Sequence, residues 1–193
     1  MIPQSTQDRV VSSEGEALIR VDSDDRPIGT LDKSACHDGA GLLHRAFSLF
    51  IFNPKGELLI HQRHPSKRLW PAYWSNSCCS HPRAGEDMTT AVARRLQQEL
   101  GLSARLRYLY KFEYRAEFGD AGTEHELCSV YVGTTSATPV INTTEIADWR
   151  WIAPAELDRA LETHPERYTP WFKLEWARLR SEFGDVITGL KAP

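Results

Sequence analysis

Apolar and polar positions change rhythm several times along the chain. Ala17–Val21 alternates loosely and runs into "DSDDRPIG", whose Asp, Pro and Gly residues mark a turn. Two apolar runs follow in "FSLFIFNPKGELLIHQR", on either side of Asn53-Pro54-Lys55-Gly56. Turn formers between two such runs predict a β-hairpin with a four-residue turn. From Asp87 to Leu100 the period changes, because Val92, Leu96 and Leu100 recur at every fourth position. That spacing predicts a helix with one core face, capped by Asp87 or Thr89 and stopped by Gly101. Ala91, Arg95 and Glu99 share the same spacing on an adjoining face.

Strand-like runs return in "ARLRYLYKFEYRAEF" and "EHELCSVYVGTT", joined by the turn "GDAGT", and again at Ile146–Ile152. Pro154 opens a helix to about Glu162, and "TPWFKLEWARLRSEFG" forms a final amphipathic helix. "HPSKRLWPAYWSNSCCSHPRAG" is rich in Pro, Ser and aromatics and reads as a long loop, a common home for functional groups. "LDKSACHDGAGLLHRA" has mixed polarity and two histidines. The order of elements predicts an α+β fold, an α/β/α sandwich with a mixed sheet between helical layers. We expect a polar N-terminal tail over residues 1–16, a single domain over 17–183 and a C-terminal tail over 184–193.

Composition narrows the partners. A length of 193 residues suits one domain with a full core. The net charge of -3 points to neither nucleic acid nor a membrane surface. No apolar run approaches the roughly 20 residues of a membrane span. "MIPQSTQDRVVSSEGEA" lacks the apolar core of a signal peptide and the basic pattern of a transit peptide. Four cysteines are too few for a disulfide scaffold, and a ring between neighbours Cys78 and Cys79 would be strained. The reading is a reduced, cytoplasmic monomer whose partner is a small molecule.

"WSNSCCSHPRAGED", from Trp74 to Asp87, is the densest chemistry in the chain. Its Cys78, Cys79 and His81 suit a metal site, a disulfide, a nucleophile or ordinary core. His37 and His44 also lie in loop-like sequence. Glu124 and Glu126 flank His125 at strand spacing and so project from one face, a pattern that a solvated strand also gives. Three imidazoles and two carboxylates make a nitrogen–oxygen set suited to Mn²⁺, Mg²⁺ or Zn²⁺, without the thiolates of a structural zinc site. Among the basic residues Lys33, Arg63, Lys67, Arg68 and Arg95, Arg63 and Lys67 bracket "HPS" as a clamp for a phosphorylated ligand would. Scattered Lys and Arg more often belong to solvated surface.

The stretch Ser80–Leu102, "SHPRAGEDMTTAVARRLQQELGL", resembles the Nudix signature. Glu86, Arg94, Leu96, Glu99, Gly101 and Leu102 fit it, Ser80 replaces its first glycine, and Arg95 and Gln98 replace two glutamates. In Nudix hydrolases those glutamates hold metals that activate water on a diphosphate. Their loss implies a Nudix fold turned to another reaction. Over about residues 17–183 the chain resembles the flavin-independent, metal-dependent isopentenyl-diphosphate Δ-isomerases. The motifs that carry this are "RAFSLFIFN", "RLWPAYW", "NSCCSHP", "YRAEF", "EHELC" and "TPWF", in that order.

The resemblance implies a site residue by residue. His37, His44, His81, Glu124 and Glu126 would hold Mn²⁺ or Zn²⁺. Cys79, Glu126 and Tyr114 would be catalytic, while Cys78 would only pack. Glu99 and the backbone carbonyl of Cys79 would hold Mg²⁺ with the diphosphate. Lys33, Arg63, Lys67 and Arg95 would bind the diphosphate, and Trp171 would face the substrate. Rival readings are a diphosphate hydrolase, a non-catalytic ligand-binding regulator and a small zinc module. The first lacks glutamates, the second has no need of Cys79, Glu124, Glu126 and Tyr114 together, and the third lacks a second cysteine pair.

Overall fold

A computed structural model describes residues 9–190 of the chain. Its nine strands are β1 (Ala17–Val21), β2 (Pro27–Asp32), β3 (His44–Phe52), β4 (Leu58–Arg63), β5 (Trp74–Ser75), β6 (Cys78–Ser80), β7 (Leu106–Glu117), β8 (Thr123–Thr134) and β9 (Ile146–Ile152). The α-helices are α1 (Lys33–His37), α2 (Met88–Leu100), α3 (Pro154–Thr163), α4 (Pro170–Glu182) and α5 (Gly184–Gly189). The strands join in one mixed sheet. Strand β3 runs parallel to β8 from His44↔Glu126 to Phe52↔Thr134, and β7 pairs antiparallel on the far side of β8.

Strand alternation sorts β3 into two faces. Phe47, Leu49 and Ile51 pack with Val92, Leu96 and Leu100 of α2. Ala46, Phe50 and Phe52 pack with Leu157 of α3 and with Trp171, Phe172 and Trp176 of α4. The sandwich predicted from the order of elements is therefore present. Helix α2 is bounded as its sequence predicts: Asp87 accepts from Thr90 N–H at 2.9 Å, and Gly101 ends the helix at φ 63°.

The predicted hairpin pairs only at its tip. Strands β3 and β4 meet at Phe52↔Leu58 and then diverge. The "long loop" fills the opening: β5 pairs with β4, β6 pairs with β3, and Asn76 and Ser77 cross between them. Ser77 Oγ donates to the Leu59 carbonyl at 2.6 Å and accepts from Ile51 N–H at 2.8 Å, so one hydroxyl ties the separated strands together. This segment belongs to the sheet because polar Asn76 and Ser77 replace ladder hydrogen bonds, which a hydrophobic pattern does not reveal.

Two further expectations change. Residues 184–189, expected as tail, form α5 and bury Ile187 in the α4-side core. Part of the expected N-terminal tail is also engaged. Residues 1–8 lie outside the described range, but residues 9–16 pack on the domain through bonds from Arg95, Asn142 and Lys33. Strand β2 and helix α1 have no apolar period, and they form through pairing with β1 and short-range turns.

Candidate active site

Glu124 and Glu126 lie on the same face of β8 as Cys128 and Val130, which belong to the α4-side core. Strand β3 runs alongside and brings His44 level with Glu126. His37 ends α1, and its carbonyl lies against Gly122 just before β8. A Cβ at Gly122, whose φ is 142°, would come within 2.5 Å of that carbonyl, so only glycine lets α1 approach so closely. His81 follows β6. Its carbonyl is braced by Arg94, whose guanidinium is itself held by both oxygens of Glu86 at 2.7 Å.

The three imidazoles converge. Nε2 of His44 lies 3.3 Å from Nε2 of His37 and 3.3 Å from Nε2 of His81. One ligating atom from each of His37, His44, His81 and Glu124 falls within 4.8 Å of all the others. Glu126 stands just outside that set, with Oε1 3.0 Å from His81 Nε2 and 3.8 Å from His44 Nε2. His44 Nδ1 donates to the Leu42 carbonyl at 2.7 Å, which leaves the Nε2 lone pair aimed at the cluster. Burial, with the charge of His81, pushes His44 down to about 4. Burial, with the charge of His37, pushes His81 to about 3. Both rings are thus neutral, as ligands must be. Glu124 Oε2 lies 3.1 Å from His37 Nε2 yet makes no hydrogen bond, a buried oxygen without such a partner among the described residues. The neutral His44 and His81 rings turn their Nε2 lone pairs toward the same point as a buried carboxylate oxygen, an arrangement that a bound cation would relieve. The donor set fits a divalent metal ion.

Glu124 and Glu126 titrate together and are driven apart. Burial raises both, but His37 and its neighbours hold Glu124 well below the usual carboxylate range. Glu126 is pushed up by burial and by the charge of Glu124. Tyr114 stands opposite Glu126 in the β7–β8 ladder and donates to its Oε2 at 2.7 Å.

A cavity of about 310 Å³ opens beside this cluster, and Cys79, Tyr114, Glu126 and Trp171 all line it. Strand β3 separates the strands that carry Cys79 and Glu126, so the two groups reach the cavity from different sides of β3. Burial pushes the Cys79 thiol up to about 12, opposed by Arg63, whose Nη1 lies 4.0 Å from the sulfur. The sulfur therefore rests as a thiol. Trp171 donates its indole N–H to Ser75 Oγ at 3.1 Å, and Arg63 sits 5.2 Å from its ring centre. Cys78, expected to pack, is fully buried against the α2 side.

The other end of the cavity is charged. Lys33, Arg63, Lys67, Arg95 and Glu99 all line it, together with Glu145. Arg95 donates to Glu99 at 2.5 Å and lies 3.4 Å from Glu145, which also pairs with Lys67. Among the described residues, the buried Arg95 Nε has no hydrogen-bond partner. Arg68 instead braces structure, donating to the carbonyls of Ala121 and Ser34. Sequence reasoning missed Glu145, Ser12 and His61. Glu145 and Ser12 are joined only by the fold, Ser12 Oγ donating to Glu145 at 2.6 Å. His61 lines the cavity with Nδ1 donating to the Ser77 carbonyl at 3.2 Å, and its place among apolar residues of β4 was the one available signal.

Comparison with known proteins places this geometry. The NUDIX domain family matches residues 42–173. Isopentenyl-diphosphate Delta-isomerase 1 of Photorhabdus laumondii is 44% identical over 174 residues, covering 89% of this chain and 99% of that protein. The isopentenyl-diphosphate Delta-isomerase of Burkholderia multivorans is 43% identical over 157 residues, covering 81% of this chain and 89% of that protein. Among solved structures, DR0079 from Deinococcus radiodurans superposes with a TM-score of 0.64 at 25% identity, covering 77% of this chain and 90% of that one. With the helix signature, the family match and these relatives in agreement, the chain belongs to the NUDIX family and, within it, to the isopentenyl-diphosphate Δ-isomerases.

Proposed function

We propose that the chain interconverts isopentenyl diphosphate and dimethylallyl diphosphate for isoprenoid biosynthesis, with Glu126 and Cys79 as the proton-transfer pair. The observation that carries this is one cavity lined by a carboxyl, a thiol and an indole together with a set of cations. An unactivated alkene is a very weak base, so the reaction needs a strong, well-aimed acid and a base placed apart from it. The Glu126 carboxyl gives its proton to the terminal CH₂ carbon. The π electrons form that C–H bond and leave a tertiary carbocation. The C–H bond next to the CH₂–O group then breaks, its electrons form the new double bond, and the proton passes to Cys79 sulfur.

Each neighbour has a task in that sequence. Tyr114 fixes the Glu126 carboxyl by hydrogen bond. Arg63 is the cation placed to stabilise the Cys79 thiolate; because burial favours the thiol, the forward reaction starts once the thiol proton has passed to solvent and Glu126 holds its own. The Trp171 face stabilises the carbocation. Trp70 packs edge-on against Trp171 at 5.2 Å and helps exclude water that would trap the cation. Mn²⁺ or Zn²⁺ held by His37, His44, His81, Glu124 and Glu126 would make the Glu126 proton more acidic and fix its direction. Glu99 and the Cys79 carbonyl would hold Mg²⁺ with the diphosphate, whose charge Lys33, Arg63, Lys67 and Arg95 complement. Binding energy at that end holds the hydrocarbon between acid and base.

The test is purified protein with Mg²⁺ and isopentenyl diphosphate in D₂O, followed by NMR. Deuterium should enter the new methyl group as dimethylallyl diphosphate appears. Release of phosphate without isomerisation would refute the proposal in favour of a hydrolase.

A further inference from the structure

Residues 9–16 cross the charged end of the cavity and engage three of its cations separately. The Val11 carbonyl accepts from Arg95 Nη1 at 2.7 Å. Ser12 Oγ accepts from Lys67 Nζ at 3.3 Å while donating to Glu145 at 2.6 Å. Glu14 pairs with Lys33 at 3.1 Å. The segment is anchored at both ends. Asn142 Nδ2 holds the Arg9 carbonyl at 2.8 Å, and the backbone N–H groups of Lys33 and Ser34 hold the Glu16 and Glu14 carbonyls at 2.9 Å. Val10, Ser12, Ser13 and Glu14 line the same cavity as the cations they neighbour.

This arrangement sets the segment directly against the cations along the cavity lining. A diphosphate monoester ends in a phosphate with three unsubstituted oxygens and needs no space past them. A diphosphate esterified at both ends carries a second organic group on that outer phosphorus, which must continue outward. We propose that residues 10–14 act as a specificity wall, closing the cavity behind the terminal phosphate so that diphosphate monoesters enter and doubly esterified diphosphates do not. This rests on Lys33, Lys67 and Arg95 being the diphosphate-binding cations. It accounts for a segment that meets the cations with a backbone carbonyl, a serine hydroxyl and a carboxylate. The specificity is negative, set by what the site has no room for.

The test compares inorganic diphosphate with ADP-ribose as inhibitors of isopentenyl diphosphate turnover by the full-length chain with Mg²⁺. In the parent chain the inhibition constant of ADP-ribose should exceed that of inorganic diphosphate by roughly 100-fold or more. Ser12→Gly combined with Glu14→Gly, and separately Asn142→Ala at the other anchor, should each shrink that ratio by about tenfold, with faster amide exchange over residues 9–16. Equal inhibition by the two compounds in the parent chain overturns the wall, and so does a ratio that neither variant moves. If inorganic diphosphate fails to inhibit a parent chain that still isomerises, the assignment of the cations is wrong and the wall falls with it.

Discussion

Glu175 provides a stability test at a residue outside the candidate ligand set and outside the proposed proton-transfer pair. It lies on α4, one turn past Trp171, and is 1% exposed. Its Oε1 is 3.5 Å from Cys128 Sγ, its Oε2 has no hydrogen-bond partner among the described residues, and no cation is paired with it. Burial pushes its pKa from 4.5 up to about 8, against weak opposition from Ser48 and Cys128. The folded chain therefore keeps a proton that the unfolded chain releases. The sign follows: this contribution is complete below about 4.5 and is lost as the pH rises through about 8. Within that window stability falls by about 1.4 kcal/mol per pH unit, or on the order of 5 kcal/mol across all of it.

Glu175→Gln keeps the shape and removes the titration. Urea unfolding of both proteins, at one fixed divalent-metal concentration, at about pH 5.5 and about pH 7.5, isolates the effect. The parent chain should lose about 3 kcal/mol relative to the variant between those two conditions. Both proteins carry the same other titrating groups, so the difference between them reports Glu175 together with its charge coupling to Glu126. If the two proteins change in parallel, Glu175 is ionised in the folded state and its surroundings are more polar than the burial implies.

Cys79→Ala should abolish deuterium uptake while thermal unfolding stays near that of the parent; Cys78→Ala should keep turnover but cost about 1–2 kcal/mol in urea unfolding, because it opens space in a packed core. Glu126→Gln should weaken Mn²⁺ binding, measured by calorimetry, and lower kcat together with it; unchanged metal affinity and turnover would remove Glu126 from both roles. Ser77→Ala should cost about 2–4 kcal/mol in urea unfolding, since it strips a buried N–H of Ile51 and a buried carbonyl of Leu59 of their shared partner.

Elements with a period were legible in the sequence. Helix α2 could be read with its cap and its stop, because Asp87, Val92, Leu96, Leu100 and Gly101 are local signals. The two faces of β3 and the shared face of Glu124 and Glu126 follow from strand alternation alone. What stayed hidden depends on contacts distant in sequence. Nothing near Asn53 says that β3 and β4 separate after one pair, because the cause is Ser77 bonding to both strands. Glu145 looks like any acidic residue ahead of a strand, and only the fold brings it to Lys67, Arg95 and Ser12. The candidate metal ligands were named through motifs, yet spacing alone gave no means of knowing that His37, at the end of α1, reaches His44 and His81.

The departures of α2 from the Nudix signature acquire a physical meaning once its contacts are known. Arg95 stands where that signature has a carboxylate, and it is 2% exposed. Its guanidinium lies between Glu99 and Glu145, whose charges hold it protonated against burial. A glutamate there would put a third carboxylate beside those two, and such a cluster is stable only with added cations. Arginine meets that need from within the chain. Gln98, at the other replaced position, turns away and accepts from Arg94 at 3.2 Å. Of the helix carboxylates that would gather metals around a water in a hydrolase, Glu99 alone reaches the cavity. The same two substitutions leave the diphosphate bond without a metal-activated nucleophile. Under the proposed reaction the substrate's charged end serves as a handle, while the bonds that change lie at its other end, between Glu126 and Cys79.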